Sequence, residues 1–153
     1  MLRRLPQRIA REERGFTLLE LLVVILVIGI LAAIAIPLFI SHAKKAEDVD
    51  AKSMAKNLGT AVELCYSPAE DFTQCDTPAD LKGALEVPWG GNPGDAQVVN
   101  ATKTTYEIVA VSKATTDGSH HTFTIQRDIS KGSTRTCTAG SDNSAGGCDH
   151  GSW

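Results

Sequence analysis

The feature that most constrains this chain is a run of 20 residues, positions 21–40, without a single charged side chain. An apolar helix of about 20 residues is long enough to cross the hydrocarbon core of a bilayer. The sequence therefore predicts one membrane-spanning helix over residues 16–40. Glu20 lies at the edge of this helix, where a carboxylate is costly unless it has a partner, so we expect Glu20 to have a function.

The charges on either side of this run are unevenly distributed. Residues 1–15 form an arginine-rich leader that ends in Gly15 and carries a net charge of +3, whereas the remainder carries −6. By the positive-inside rule, the leader should stay on the cytoplasmic side and the acidic part should lie outside. Nucleic-acid binding requires clustered Lys and Arg, so the charge of the outer part argues against a nucleic-acid partner.

The apolar helix is predicted to continue as an amphipathic helix over residues 41–66. Lys44 and Asp48 are spaced for an ion pair on a solvated helix face. Together the two parts predict one continuous helix over residues 16–66, with a kink at Pro37 because proline lacks the amide hydrogen and clashes with the preceding turn. The opposite face carries a weak apolar stripe at intervals of three or four residues, formed by Ala51, Met54, Leu58, Ala61, Val62 and Cys65.

The rest of the chain, residues 67–153, is predicted to form a β-rich outer headpiece. Thr77 followed by proline is typical of a helix start, and we expect a short helix to about Leu85. Residues 104–111 and 121–127 alternate in polarity and are separated by an Asp-Gly turn, which is typical of a hairpin. With flanking strands, this predicts a small antiparallel sheet packed on the amphipathic half of the helix. The fold class is therefore predicted to be α+β.

Four cysteines fall into two close pairs, and for a domain outside the cytoplasm this pattern predicts disulfides. Three pairings are possible, of which we favour Cys65–Cys75 and Cys137–Cys148 because each closes a short loop rich in turn-forming residues. A zinc site is the weaker interpretation, since neither spacing matches the close ligand pairs of structural zinc sites.

The opening stretch resembles a known family. The residues RGFTLLELLVVILVIGILAAIAIP, with Gly15, Phe16, Glu20 and Pro37 at their characteristic positions, resemble the N-terminal signature of type IV pilins and type II secretion pseudopilins. The predicted layout beyond this stretch, a long helix followed by a small sheet with disulfides, is also similar to that family. The cysteine-closed loops look most similar to small pilins of the Gram-positive actinobacterial type.

The resemblance implies roles for individual residues. A prepilin peptidase would cleave between Gly15 and Phe16 and methylate the new amine of Phe16. Glu20 would neutralise the N-terminal amine of a neighbouring subunit during assembly, and the apolar helix would form the core of a helical filament. The implied partners are copies of the chain itself, the peptidase, the membrane, and an assembly platform with its ATPase. The implied location is a single-pass membrane precursor, followed by a filament at the cell surface.

Three alternatives for the N-terminal region remain open. Glu20 could be a tolerated charge at the membrane interface. The leader and apolar run could be an ordinary secretory signal, because Ala33-Ile34-Ala35 fits the small-x-small cleavage pattern. Against this stands the length of the apolar segment, which exceeds the usual 7–15 residues. The segment could also be a plain anchor that never assembles, holding an acidic headpiece that binds a ligand.

Other candidate sites carry weaker signals. His120 and His121 are interpreted as exposed residues beside the Asp-Gly turn, and a metal site there is improbable. Asp142, Asn143 and Asp149 make the tail rich in oxygen ligands, but their spacing does not match a calcium loop. No catalytic set, metal or cofactor site is expected, so the sequence predicts a structural protein and not an enzyme. The sequence leaves open whether the chain is a major pilin, a minor pilin or a pseudopilin.

Overall fold

The computed structural model describes residues 15–81 and 87–153, so the predicted leader lies outside the described residues except for Gly15. The chain divides into two compact units, one that ends at Leu38 and one that extends from Phe39 to Trp153. The second unit is called the headpiece below. It contains the second half of the helix and the whole sheet.

Helix α1 extends from Leu18 to Ala69. It begins two residues later than predicted because Thr17 acts as its N-cap. The helix is continuous through Pro37, and the kink expected there remains a prediction. At the other end, Glu70 adopts a left-handed backbone conformation with φ of 51° and donates its N–H to the Tyr66 carbonyl at 2.7 Å, which terminates the helix.

Four antiparallel strands form the sheet in the order β1-β2-β3-β4. Their bounds are Ala96–Val99 for β1, Thr105–Thr116 for β2, Ser119–Asp128 for β3 and Gly132–Thr138 for β4. Asp117 and Gly118 join β2 to β3 with φ values of 53° and 78°, as a two-residue hairpin turn with two left-handed residues requires. The predicted α+β fold, a long helix with a small antiparallel sheet, is confirmed.

The headpiece core lies between α1 and the inner face of the sheet. Ile108 and Phe123 are fully buried on that face. The predicted helix stripe is only partly correct, because Met54 and Cys65 are partly exposed, whereas Asp48, Ala55 and Gly59 are buried although they were not expected to be. Gly59 faces the sheet, where a β-carbon would lie 3.6 Å from Ile108 Cδ1.

Two disulfides close the loops of the headpiece, Cys65–Cys75 and Cys137–Cys148, and these are the two pairings favoured from the cysteine spacing. The first closes over a short 3-10 turn, Phe72–Gln74, whose start is capped by the Asp71 side chain. The second ties the C-terminal tail to strand β4. The helix predicted to start at Thr77 is a hydrogen-bonded turn as far as Leu81, and residues 82–85 lie outside the described part.

Candidate functional site

The N-terminal end of α1 is organised by Thr17 and Glu20. The Glu20 N–H donates to Thr17 Oγ1 at 3.1 Å, and the Leu21 N–H donates to the Thr17 carbonyl at 3.2 Å. Thr17 is therefore a helix N-cap, three residues before an acid in the spacing of a capping box. Glu20 lies in the first turn, where the helix dipole favours negative charge. This position holds its carboxylate exposed at the start of the helix.

The first unit exposes its apolar side chains. From Phe16 to Leu38 the large apolar residues are 46–81% exposed, which a water-soluble domain does not tolerate over so large an area. Among the described residues, α1 is the one helix that is long and apolar enough to cross a membrane. The surface must be covered by lipid, by other protein, or by each in turn.

Small residues open a shallow groove in this apolar surface. A β-carbon added at Gly29 would meet no atom within 4 Å, so the backbone is accessible to a close-packed neighbour. The groove has a volume of about 540 Å³ and is lined by Leu22, Ile25, Leu26, Gly29, Ile30 and Ala33.

The peptide bond between Gly15 and Phe16 precedes the helix, in extended or irregular backbone. A β-carbon at Gly15 would have no neighbour within 4 Å, and the Phe16 side chain is 81% exposed. Proteases bind extended, accessible backbone, and a glycine presents no side chain to obstruct the approach. The local geometry is therefore compatible with cleavage between these two residues.

The headpiece contains a buried polar cluster that the sequence analysis did not identify. Asp48 and His121 are both fully buried, and His121 Nδ1 lies 2.9 Å from Asp48 Oδ2. The Gly147 N–H donates to the same oxygen at 2.8 Å, and His121 Nε2 is 2.8 Å from Thr116 Oγ1. The interpretation of His121 as an exposed loop residue is wrong, because His121 lies within β3. Asp48 is likewise not on a solvated helix face.

Gly146 is required beside this cluster. Its φ is +61°, and a β-carbon there would lie 2.0 Å from Asp48 Oδ2 and 2.9 Å from His121 Cε1. The backbone of the Cys137–Cys148 loop thus packs directly against Asp48 and His121, with no space for a side chain at Gly146. The cluster connects α1, strand β3 and the C-terminal loop.

A second polar network lies at the other end of the helix. Tyr106 donates its hydroxyl to Glu63 Oε1 at 3.1 Å, and Arg127 Nε donates to the same oxygen at 3.1 Å. Burial, reinforced by the Glu63 charge and hydrogen bond, raises the pKa of Tyr106 above its ordinary value. The network fixes α1 against β2 and β3.

Three cations surround the indole of Trp153. Lys52 Nζ, Lys56 Nζ and Arg135 Cζ lie 5.6, 5.5 and 5.3 Å from its ring centroid. The indole is fixed, because its Nε1–H donates to the Thr136 carbonyl at 2.9 Å and its ring packs edge-on against Phe123. The members of this cluster are far apart in the chain, so no local sequence pattern predicted it.

The remaining candidates have local structural roles. The Asn143 side chain accepts the Ala139 N–H, and Asp142 accepts the Ser144 N–H, so both tail residues are engaged in the loop's own turns. Within residues 15–81 and 87–153, no group of three or more His, Cys, Asp or Glu side chains is placed to hold a metal ion. His120 is exposed on β3, and its Nδ1 lies 3.0 Å from the Ser112 carbonyl.

Comparison with known proteins gives two kinds of match. A family model described as the prokaryotic N-terminal methylation motif matches residues 10–36. A fimbrial protein of Pseudomonas aeruginosa is 33% identical over 105 residues, which cover 65% of this chain and 68% of that protein. No solved structure matches the chain significantly.

Two further relatives match over shorter stretches. The type IV major pilin protein PilA of Myxococcus xanthus is 44% identical over 62 residues, 40% of this chain and 28% of that protein. The type II secretion system core protein G of Pseudomonas aeruginosa is 34% identical over 83 residues, 54% of this chain and 56% of that protein. This chain therefore spans less than two thirds of the length of both.

Proposed function

The chain belongs to the family of type IV pilins and related pseudopilins, and from this premise we propose that it is a structural subunit of a type IV pilus-like filament. The matches to these relatives support a subunit of either a pilus or a pseudopilus. A pilus is favoured over a secretion pseudopilus because the match to the fimbrial protein extends over more of both chains.

One observation carries the proposal: helix α1 begins two residues after Phe16, carries Glu20 in its first turn, and exposes its large apolar side chains as far as Leu38. In a precursor this surface is covered by lipid, and in a filament it is covered by the same surface of other subunits. A helical filament requires heterologous contacts that do not close into a ring, and a long apolar helix carrying a headpiece suits this arrangement.

We propose that prepilin peptidase cleaves between Gly15 and Phe16 and that the new Phe16 amine is methylated. The leader carries five arginines, and its removal takes this charge away from the end of the apolar helix. The mature amine would then lie four residues before Glu20. On leaving the membrane, Glu20 would pair with the amine of a neighbouring subunit, which lowers the cost of a carboxylate in an apolar filament core. Extraction would require the assembly platform and its ATPase.

The experiment compares filaments sheared from cells that express the natural chain, Glu20→Ala or Asp50→Ala. Asp50 is the matched control, because it is an exposed acid on the same helix but lies in the headpiece. We expect the natural chain and Asp50→Ala to give equal filament yields, whereas Glu20→Ala remains in the membrane after cleavage. Equal yields for all three chains would refute the role of Glu20, and no filaments from the natural chain would refute the proposed function.

A non-assembling binding module is the competing function. The headpiece has a cleft of about 380 Å³ lined by Glu47, Asp50, Met54, Pro88 and Lys113, among other residues, that could hold a small ligand. Such a module would need neither cleavage at Gly15 nor Glu20. The same set of variants therefore separates the two functions.

A further inference from the structure

The cluster around Trp153 has the composition of a protein-binding site. We define the basic patch as Lys52, Lys56, Arg135 and Trp153. Trp and Arg are the residue types that dominate binding energy in protein interfaces. The Trp153 indole is held rigidly by its hydrogen bond to Thr136, so little conformational entropy remains to be lost on binding.

The positive charges of the basic patch are only partly compensated within the chain. Lys52 lies near Asp48 and donates to the Gly147 carbonyl. Among the residues that the structure describes, no carboxylate lies within 4 Å of the Lys56 ammonium or the Arg135 guanidinium, and both side chains are exposed. Burial lowers the pKa of Lys52, the nearby Asp48 charge opposes this shift, and the Lys56 charge adds a smaller lowering effect. An approaching anionic group would relieve the repulsion among these three cations.

A surface of opposite charge lies elsewhere on the same headpiece. Residues 67–80 contain four acids and no basic residue, and we call this stretch the acidic segment; the acids are Glu70, Asp71, Asp76 and Asp80. The Cys65–Cys75 disulfide anchors the segment to the end of α1. Hydrogen bonds from Thr73 lower the pKa of Asp71, which keeps its carboxylate ionised.

The basic patch and the acidic segment occupy different parts of the headpiece. Arg135 belongs to β4, the edge strand of the sheet. The acidic segment lies beside the connection between β1 and β2, where the Phe72 N–H contacts the Lys103 carbonyl at 3.5 Å. Two complementary surfaces at different places on one subunit produce a heterologous contact, which repeats into an open filament.

We propose that the basic patch binds the acidic segment of a second copy of this chain. The inference rests on the proposed filament and names a contact between its headpieces. A second copy is favoured over a polyanion such as nucleic acid, because the proposed filament already brings copies of the headpiece together and each copy carries an acidic segment. The acidic segment of a copy supplies the complementary charge, and each chain carries one segment and one patch.

The test is a charge reversal with rescue, measured as the yield of sheared filaments. The first variant, Lys56→Glu with Arg135→Glu, should reduce the yield about tenfold, because like charges then face each other in the interface. Adding Glu70→Lys and Asp76→Lys to the same chain should restore most of the yield. Lys131→Glu is the matched control, since Lys131 is an exposed base outside the patch, and its yield should equal that of the natural chain.

Each contrary outcome has a distinct meaning. If the natural chain forms filaments and the double reversal forms as many as Lys131→Glu, the proposed contact is refuted while the filament function stands. If the reversal reduces the yield and the added lysines do not restore it, the acidic segment is not the partner and the proposal fails. If no chain forms filaments, the proposed function fails and the contact fails with it.

Polyanion binding has its own assay. Fluorescence anisotropy of labelled single-stranded oligothymidine is measured with the purified full chain in detergent. Our proposal predicts no difference between the natural chain and the double reversal. Binding by the natural chain that is lost in the reversal, together with unchanged filament yield, would assign the basic patch to a nucleic acid and overturn the proposal.

Discussion

Replacing His121 by phenylalanine should destabilise the headpiece far more than the same replacement at the exposed His120. The change keeps an aromatic ring at this buried position, somewhat larger than imidazole, but removes both nitrogens. Asp48 is then a fully buried carboxylate whose remaining direct contact is the Gly147 N–H. Removing one partner of a buried hydrogen bond leaves the other partner unsatisfied, which typically costs about 1–3 kcal/mol, and more where that group is charged. A loss of this size is a large part of the stability of a small domain.

The assay is equilibrium urea unfolding of the full chain in detergent, followed by tryptophan fluorescence. His120→Phe is the matched control. His120 is exposed and has a single contact with the Ser112 carbonyl, so its loss should cost no more than about 1 kcal/mol. Combining Asp48→Leu with His121→Phe should recover at least half of the loss, because an apolar pair leaves neither side chain as an unsatisfied buried polar group. Equal losses of unfolding free energy for His121→Phe and His120→Phe would contradict this prediction. So would a double variant whose loss equals the sum of the losses of Asp48→Leu and His121→Phe alone.

Four further predictions follow from the headpiece. Gly59→Ala should stabilise the headpiece by about 0.5–1 kcal/mol in the same unfolding assay, because the new methyl group makes only van der Waals contacts and alanine favours the helix. In contrast, Gly146→Ala should destabilise the headpiece severely in that assay, because its β-carbon would overlap Asp48. Replacing Cys137 and Cys148 by alanine should lower the free energy of unfolding by about 2–3 kcal/mol, the chain-entropy value for a loop of this length. The loop should also become sensitive to proteinase K, a protease that does not require Lys or Arg, which the loop lacks. In the same unfolding assay, the stability of the natural chain should fall as the pH rises above 10, and that of Tyr106→Phe should fall less over the same range. The unfolded chain loses the tyrosine proton near pH 10, whereas the folded chain, in which the pKa of Tyr106 is raised, retains it. The contribution of this proton is therefore full below pH 10 and is lost as the pH rises further.

The sheet could be predicted from the sequence because its signals are local. Strands β2 and β3 alternate in polarity, and an Asp-Gly pair between them indicates the turn type. The register shift between Val111 and Thr115 was not predicted. The long helix follows from composition in its first half and from periodicity in its second. The N-cap at Thr17 was not predicted, but it has a local signal, since Thr-x-x-Glu is the capping-box pattern.

The buried pair could not be predicted in the same way. His121 does share the inward-facing positions of Phe123 and Ile125, so strand alternation contained a signal for its burial. A histidine is expected to be buried only where a hydrogen-bond partner is known, and the partner here, Asp48, lies 73 residues earlier in the sequence. No local pattern connects two such residues, and a charge at helical spacing is more often on a solvated face.

The basic patch was missed for the same reason. Its lysines belong to α1, Arg135 belongs to β4, and Trp153 is brought to both by the Cys137–Cys148 disulfide and the tail that follows it. Composition described the region after the leader as acidic, which is correct as an average. The average does not report how charges of each sign are grouped by the fold.

The central claim is that the chain is trimmed before Phe16 and assembled through the helix that follows. Intact-protein and N-terminal mass spectrometry of material recovered from the native cell surface tests it most directly. Our account predicts a chain that begins at methylated Phe16, with both disulfides formed. A chain that begins at Ile36 would indicate ordinary secretion and remove any role for Glu20, and a chain that retains its leader would indicate a plain anchor; either result would contradict the account.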